Sequence, residues 1–295
     1  MPKIIRTPED RFTDLPGYNF SENYLGVEEN IRMHYVDEGK KSDPIVLLLH
    51  GEPTWSYLYR KMIPILVENN LRAIAPDLIG FGKSDKYTEK TDYSYQKHMD
   101  WLTSFIKQLD LKEMTLFCQD WGGLTGLRLI AEMPERFSHV IASNTTLPTG
   151  QFTIPVSFMQ WREFSRTSES FNIGKIVANG CITTLSEEVI AAYNAPFPSE
   201  EYKAGARIFP TLVPIKADDP EAIKNQEYWK KLAQWNKPFL TIFGDSDPIM
   251  LGAEKALIKF IPGAQNQKHN IIHAGHFIQE DKGEELARRI VEFRK

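Results

Sequence analysis

Apolar positions along the chain switch repeatedly between two periods. Ile31, Met33 and Tyr35 alternate with Arg32 and His34, which predicts a half-buried strand ending near Val36. Ile45-Val46-Leu47-Leu48-Leu49 is continuously apolar, as a central strand covered on both faces must be. A helix is expected after Trp55, running to about Asn69, then a short strand over 72–75 and a helix over 94–109. Residues 114–118 form another apolar run, and 122–133 shift to helical spacing with Leu124, Leu127, Leu129, Ile130 and Ala131. Val140 to Ser143 gives one more buried strand. The alternation stops near Leu147-Pro148-Thr149-Gly150, resumes at 239–243 and 270–272, and closes with an amphipathic helix over 283–293. Residues 1–20 are polar and punctuated by proline, a tail laid across the surface.

Strand–helix alternation predicts an α/β fold with a mostly parallel central sheet and helices on both faces. The strandless stretch reads as a helical insertion. The expected organisation is therefore a core of residues 1–149 and 213–295 with a cap of 150–212, lying over the sheet edge where ligands bind in such folds.

Between the run ending at Cys118 and the helix beginning at Gly122 almost no residues remain for a turn. A strand that feeds a helix so abruptly leaves one residue at the apex, projected above the sheet and the positive end of the helix. That residue is Asp120, flanked two positions away by the small Cys118 and Gly122. This is the nucleophile-elbow pattern with a carboxylate at its tip. The alternative is Asp120 as an ordinary helix N-cap.

Two further candidates follow strands. Asp247 lies in Phe243-Gly244-Asp245-Ser246-Asp247-Pro248, and His276 in His273-Ala274-Gly275-His276-Phe277. Asp245 and His273 are their rivals. Asp247 is preferred because it lies deeper in its loop, and His276 because His273 sits closer to its strand. The chain order nucleophile, acid, histidine is that of the α/β-hydrolases. An ionised aspartate attacks without a base, which suits leaving groups that depart without a proton. A histidine is then needed only to activate water against the resulting ester, and the second aspartate orients it. Backbone N–H groups of Glu52 and Trp121 are the expected oxyanion donors.

The residues resemble the haloalkane dehalogenases of the α/β-hydrolase fold, from about Arg6 onward. The carriers are His50-Gly51-Glu52-Pro53-Thr54-Trp55-Ser56-Tyr57, Gln119-Asp120-Trp121-Gly122-Gly123, Asp77-Leu78-Ile79-Gly80-Phe81-Gly82-Lys83-Ser84 and Gly275-His276-Phe277. The first two together are specific. The resemblance implies hydrolysis of a haloalkane to an alcohol, halide and a proton through an alkyl-aspartate. It points to Trp121 as one halide donor. Glu52 occupies the place where one subfamily carries a halide-binding Asn, and Asn144 the place where that subfamily carries its acid. The other subfamily takes its second donor from a cap Trp, and Trp161 is the only Trp in 150–212. Without the resemblance, Trp161 reads as core packing. Phe117, Phe152, Phe158, Phe164 and Phe171 are core or pocket wall.

An epoxide hydrolase is the competing enzyme reading. It would need phenols such as Tyr193 and Tyr202 in the pocket. A serine esterase is disfavoured by the aspartate at the apex, and a binding module without catalysis by the intact Asp120, His276 and Asp247.

Composition adds exclusions. A net charge of −4 with mixed signs gives no nucleic-acid footprint, and no run spans a bilayer. Two cysteines are too few for a disulfide framework and favour a reducing, cytoplasmic setting. No metal-ligand spacing or phosphate-binding glycine pattern is present, so no cofactor is expected. The expected partners are a halogenated alkane, water and the halide product, met by a monomer.

Overall fold

A computed structural model describes residues 2–295. Eight strands build one sheet: β1 (Asn23–Glu28), β2 (Ile31–Glu38), β3 (Ile45–Leu49), β4 (Arg72–Pro76), β5 (Met114–Gln119), β6 (Phe137–Ser143), β7 (Phe239–Gly244) and β8 (Asn270–Ile272). Their spatial order is β8-β7-β6-β5-β3-β4-β2-β1. From β3 onward neighbours are parallel, while β2 runs antiparallel to both β1 and β4. Every position of β5 and β7 is buried, which is why these strands read as unbroken apolar runs. The register sets Leu49 beside Cys118 and Gln119 beside Ser143, so the loops after β3, β5 and β6 emerge together.

Ten helices accompany the sheet: α1 (Ile63–Glu68), α2 (Tyr95–Gln108), α3 (Trp121–Glu132), α4 (Val156–Thr167), α5 (Ile173–Asn179), α6 (Glu187–Asn194), α7 (Ala204–Leu212), α8 (Pro220–Leu232), α9 (Glu254–Phe260) and α10 (Ile278–Phe293). Ser94 caps α2 through the Lys97 amide, and its buried face of Tyr95, Met99, Leu102, Phe105 and Ile106 keeps helical spacing. Helices α1 and α10 pack on one another, while α3 packs with α2 and α8. Arg128 of α3 ties α8 down: it is fully buried, donates to Asn225 at 2.7 Å and stacks on Tyr95.

The expected helix after Trp55 is two pieces, a 3-10 turn at Ser56–Tyr59 and then α1, with a proline in its first turn. Strand β1 escaped the pattern because an edge strand buries little; Val27 is its one buried residue. The N-terminal tail lies across the surface but is tied in. Ile4–Ile5 pairs antiparallel with Lys86–Tyr87, Arg6 grips Asp85, and Tyr18 shares a hydrogen bond with Ser56.

Between β6 and β7 the chain has helices α4 to α8 and no strand among the described residues. Helix α4 packs on α7 and α5 on α6, whereas α8 returns to the sheet layer through α3.

Candidate active site

A single residue, Asp120, separates β5 from α3, and its backbone is left-handed with φ 51° and ψ −126°. Two neighbouring chains hold that strained turn. The Asp120 N–H donates to the Asn144 carbonyl at 3.1 Å, and its carbonyl accepts from Thr145 Oγ1 at 2.7 Å. A Cβ at Gly122 would strike the Leu49 carbonyl, so α3 begins this close to β3 only with glycine there. Gly51 is needed for the same reason, since its Cβ would collide with the Asp120 carboxylate. The tip is thus more than an N-cap: the Asp120 side chain makes no capping bond to α3 and turns toward the loop after β3.

There the Glu52 N–H donates to Asp120 Oδ1 at 2.7 Å. Trp121 opens α3, where its amide has no intrahelical acceptor. On the other side stands His276. Its Nε2 lies 3.6 Å from Asp120 Oδ2, and its Nδ1 is 2.8 Å from Asp247 Oδ2. Asp247 is 1% exposed and also accepts from the Ile249 and Met250 amides. Burial alone would push His276 down, but the charges of Asp247 and Asp120 overcome it and hold the imidazole up at about 10. Burial likewise raises Asp247, yet His276 and the two amides leave it below the usual carboxylate value.

The rivals pair with each other elsewhere. His273 faces Asp245 at 3.1 Å in an exposed couple.

Glu52 is 4% exposed. Burial, then the nearby Asp120 charge, pushes its carboxyl well above the usual range, while His276 and the neighbouring Trp161 indole pull the other way. Its Oε1 has no partner.

The cavity above these groups is about 450 Å³ and opens between the strand-end loops and helices α4, α5 and α7. Trp121 and Trp161 both line it, with Leu124, Ile154, Phe158, Ile176, Val213 and Met250 supplying apolar wall. Trp121 is fixed by edge contacts with Phe209 at 4.4 Å and Tyr95 at 4.9 Å. Trp161 is half-buried and stacks on Phe171 and Phe164. The five phenylalanines divide. Phe158 and Phe164 line the cavity, Phe171 backs Trp161, and Phe117 lies in the core against Tyr59. Phe152 is 69% exposed and belongs to neither class, because its loop precedes α4 and packs against little. No tyrosine lines the cavity among the described residues. Tyr193 is buried against Glu280, away from it. Among the described residues no group of three His, Cys, Asp or Glu side chains is arranged to hold a metal ion, and no helix is long and apolar enough to cross a membrane.

Sequence reasoning passed over the groups that hold the machinery. Asn144 donates to the Gly275 and His276 carbonyls at 2.9 and 3.0 Å and accepts from the Gly244 amide at 2.8 Å, tying three loops together. The His276 amide donates to the Gly180 carbonyl, just after α5, at 2.7 Å. Gln119 touches His276 from below. Gln119 had a signal in its place beside the apex, and Asn144 in its place where a sister subfamily carries its acid, but the contacts they make had none.

A strained elbow at the end of a central parallel strand, faced by a histidine and a buried acid from later loops, defines a class, and residues 44–283 match the family model described as alpha/beta hydrolase fold. The chain is 53% identical to a haloalkane dehalogenase of Psychrobacter cryohalolentis, over 99% of this chain and 98% of that one. It is 49% identical to haloalkane dehalogenase 1 of Mycobacterium tuberculosis, over 99% of both. The tetrameric structure of haloalkane dehalogenase DpaA from Paraglaciecola agarilytica superimposes with a TM-score of 0.89 at 38% identity, covering 97% of each chain. The chain belongs to the haloalkane dehalogenases.

Proposed function

We propose that the protein hydrolyses haloalkanes in two steps on Asp120, beneath a cap formed by residues 150–212. In the first, Asp120 Oδ2 attacks the halogen-bearing carbon. A C–O bond forms as the C–halogen bond breaks, and the halide leaves toward the indole N–H groups of Trp121 and Trp161. Each indole offers one donor and no acceptor, which suits a departing anion. No proton moves. In the second step water adds to the ester carbonyl and gives its proton to His276 Nε2. Asp247 holds the proton on Nδ1 and stabilises the imidazolium. The tetrahedral oxyanion rests on the Glu52 and Trp121 amides. Its collapse expels the alcohol oxygen, which takes the proton back from His276, and the carboxyl left on Asp120 releases the remaining proton to water, so that the carboxylate returns.

The pairing of His276 with two carboxylates makes the order of steps self-regulating. In the free enzyme Asp247 and Asp120 both favour the charged imidazole. Esterification removes the Asp120 anion, so the imidazole loses one of its two charge partners when a base is required.

The observation that carries this reading is the Glu52 amide on Asp120 Oδ1 at 2.7 Å, with His276 on the opposite oxygen. An oxyanion donor aimed at a carboxylate serves a nucleophile, whereas a carboxylate acting as a general base has no use for one. The absence of a tyrosine from the described cavity wall disfavours epoxide opening, since an indole is too weak an acid to protonate an alkoxide. The test is His276→Ala mixed with 1,2-dibromoethane. Attack should proceed and hydrolysis stall, and intact mass should rise by one bromoethyl group. Released halide with an unmodified protein would overturn the assignment of Asp120 as nucleophile.

A monomer is part of the same proposal, and so is a reducing, cytoplasmic setting, which the free Cys118 and Cys181 support. Light scattering tests the oligomeric state, and the Paraglaciecola relative, a tetramer, is the pattern it must be distinguished from.

A further inference from the structure

Gln119 ends β5 one residue before the apex and is fully buried. Its Nε2 lies 3.1 Å from the His276 carbonyl and 3.2 Å from His276 Nε2, and its Oε1 has no partner. The chemistry fixes which way this amide points. A carbonyl oxygen only accepts, so the group facing the His276 carbonyl must be the NH2. Turning the amide over would set oxygen against oxygen. The same NH2 therefore faces His276 Nε2, and its second hydrogen can be accepted there only by a lone pair. A protonated Nε2 would present N–H to N–H, so the amide works against the charged form that Asp120 and Asp247 favour.

From this geometry we propose that Gln119 is a positioning residue that biases His276 toward the neutral imidazole with its proton on Nδ1, the form able to accept a proton from water. The inference rests on the reading of His276 as the base of the hydrolytic step. Three ionisable groups face the ring: Asp247 from the loop after β7, Asp120 from the elbow and Glu52 from the loop after β3. Asp247 and Asp120 favour the imidazolium, and Asp247 remains an anion throughout. Once Asp120 is esterified, the Gln119 NH2 and Asp247 are left opposing each other across the ring. One donates to Nε2 and the other accepts from Nδ1–H, and the neutral tautomer satisfies both. The hydrogen bond also holds the ring in the plane from which Nε2 faces Asp120.

The experiment compares wild type with Gln119→Met and Gln119→Glu in rapid-quench reactions of a bromoalkane across pH 5 to 9. Halide burst and alcohol formation are followed separately. The hydrolytic step should be lost on the acid side with a midpoint about one pH unit higher in Gln119→Met, the worth of one buried hydrogen bond. It should move further in Gln119→Glu, whose carboxyl would accept from a protonated Nε2. The halide burst should keep its flat pH profile in both. Equal slowing of both steps, or an unmoved midpoint, would overturn the proposal. A second arm avoids turnover. In Asp120→Asn, which carries no charge at the apex as the ester does, nitrogen-15 spectra of His276 should report the proton on Nδ1 with Nε2 accepting. Adding Gln119→Met should raise the protonation midpoint. A proton resident on Nε2, or no change in midpoint, contradicts the proposal. Failure of the two-step reading itself would look different: no halide burst would precede the alcohol, while the spectra would still decide the role of Gln119.

Discussion

Glu52 combines two unlike duties in one residue. Its amide serves Asp120, while its carboxyl is sealed against the same carboxylate. Burial, and then repulsion between two anions so close in a dry site, favours the protonated form of the Glu52 carboxyl. The sign of the consequence is fixed. A folded-state carboxyl raised above its usual 4.5 binds a proton that the unfolded chain has released, so stability falls as pH climbs from 4.5 toward the raised value. Glu52→Gln keeps the backbone donor and removes the titration. Its melting temperature should match wild type near pH 4 and exceed it increasingly toward pH 9. A difference that does not change with pH would contradict a protonated Glu52. The indoles are tested at the same scale. If the indoles hold the halide as proposed, Trp121→Phe and Trp161→Phe each remove one donor, a charge-assisted bond of about 1.5–3 kcal/mol, so bromide affinity should fall roughly tenfold or more in each. Titration of the remaining tryptophan fluorescence measures it. Unchanged bromide binding in Trp161→Phe would move the second donor elsewhere in the cap.

At the scale of elements, the segment bearing α4 to α7 is fastened to the sheet domain by a buried ionic knot. Glu280, in the first turn of α10, accepts from Arg60 Nη2 at 2.9 Å and also binds the Arg60 Nη1 and Tyr193 hydroxyl groups. Arg60 is 6% exposed and Glu280 1%. Tyr193 belongs to α6, so three separate stretches meet at one carboxylate. Glu280→Ala would leave Arg60 charged and unpaired in a dry site, at about 3–5 kcal/mol. A urea midpoint within error of wild type would show the knot to be ornamental. None of this was legible in the sequence, and the reason is physical. The elbow could be read because it is local: a strand, one residue and a helix must adjoin, and their spacing shows in the chain. The strands with both faces covered could be read because burial leaves no polar position in them. Arg60, Tyr193 and Glu280 are far apart in sequence, and each resembles a surface residue until the fold brings them together. What Asn144 and Gln119 hold was invisible for a related reason. Their contacts run through backbone carbonyls, which leave no trace in residue type. Edge strand β1, helix α8 and the break before α1 were missed because their patterns are weak or interrupted.

For the molecule as a whole, the site is a seam. Asp120, His276 and Asp247 come from loops at one edge of the sheet, Trp161 comes from α4, and the Gly180 carbonyl that holds the His276 amide comes from the same inserted segment. On the proposed mechanism the insertion would do three things at once: shield the ester from bulk water, supply a halide donor and fix the base. It also sets the size of the substrate. At about 450 Å³ the cavity falls within the usual range of ligand pockets, about 300–1,000 Å³, and its wall beyond the two indoles is mostly aliphatic and aromatic. A short haloalkane leaves much of that wall in contact with water. Each further methylene should remove apolar surface from water on both sides, worth about 0.8 kcal/mol, or roughly a fourfold rise in kcat/KM per carbon. The gain belongs to binding and should appear mainly in KM, because the added carbons contact the wall equally before and during attack. Across 1-bromoalkanes from two to six carbons, kcat/KM should climb steadily while kcat stays within a few-fold, until the chain meets the cap. A flat series would mean that the far wall closes down around small substrates, and that the space between cap and sheet is not the space the substrate occupies.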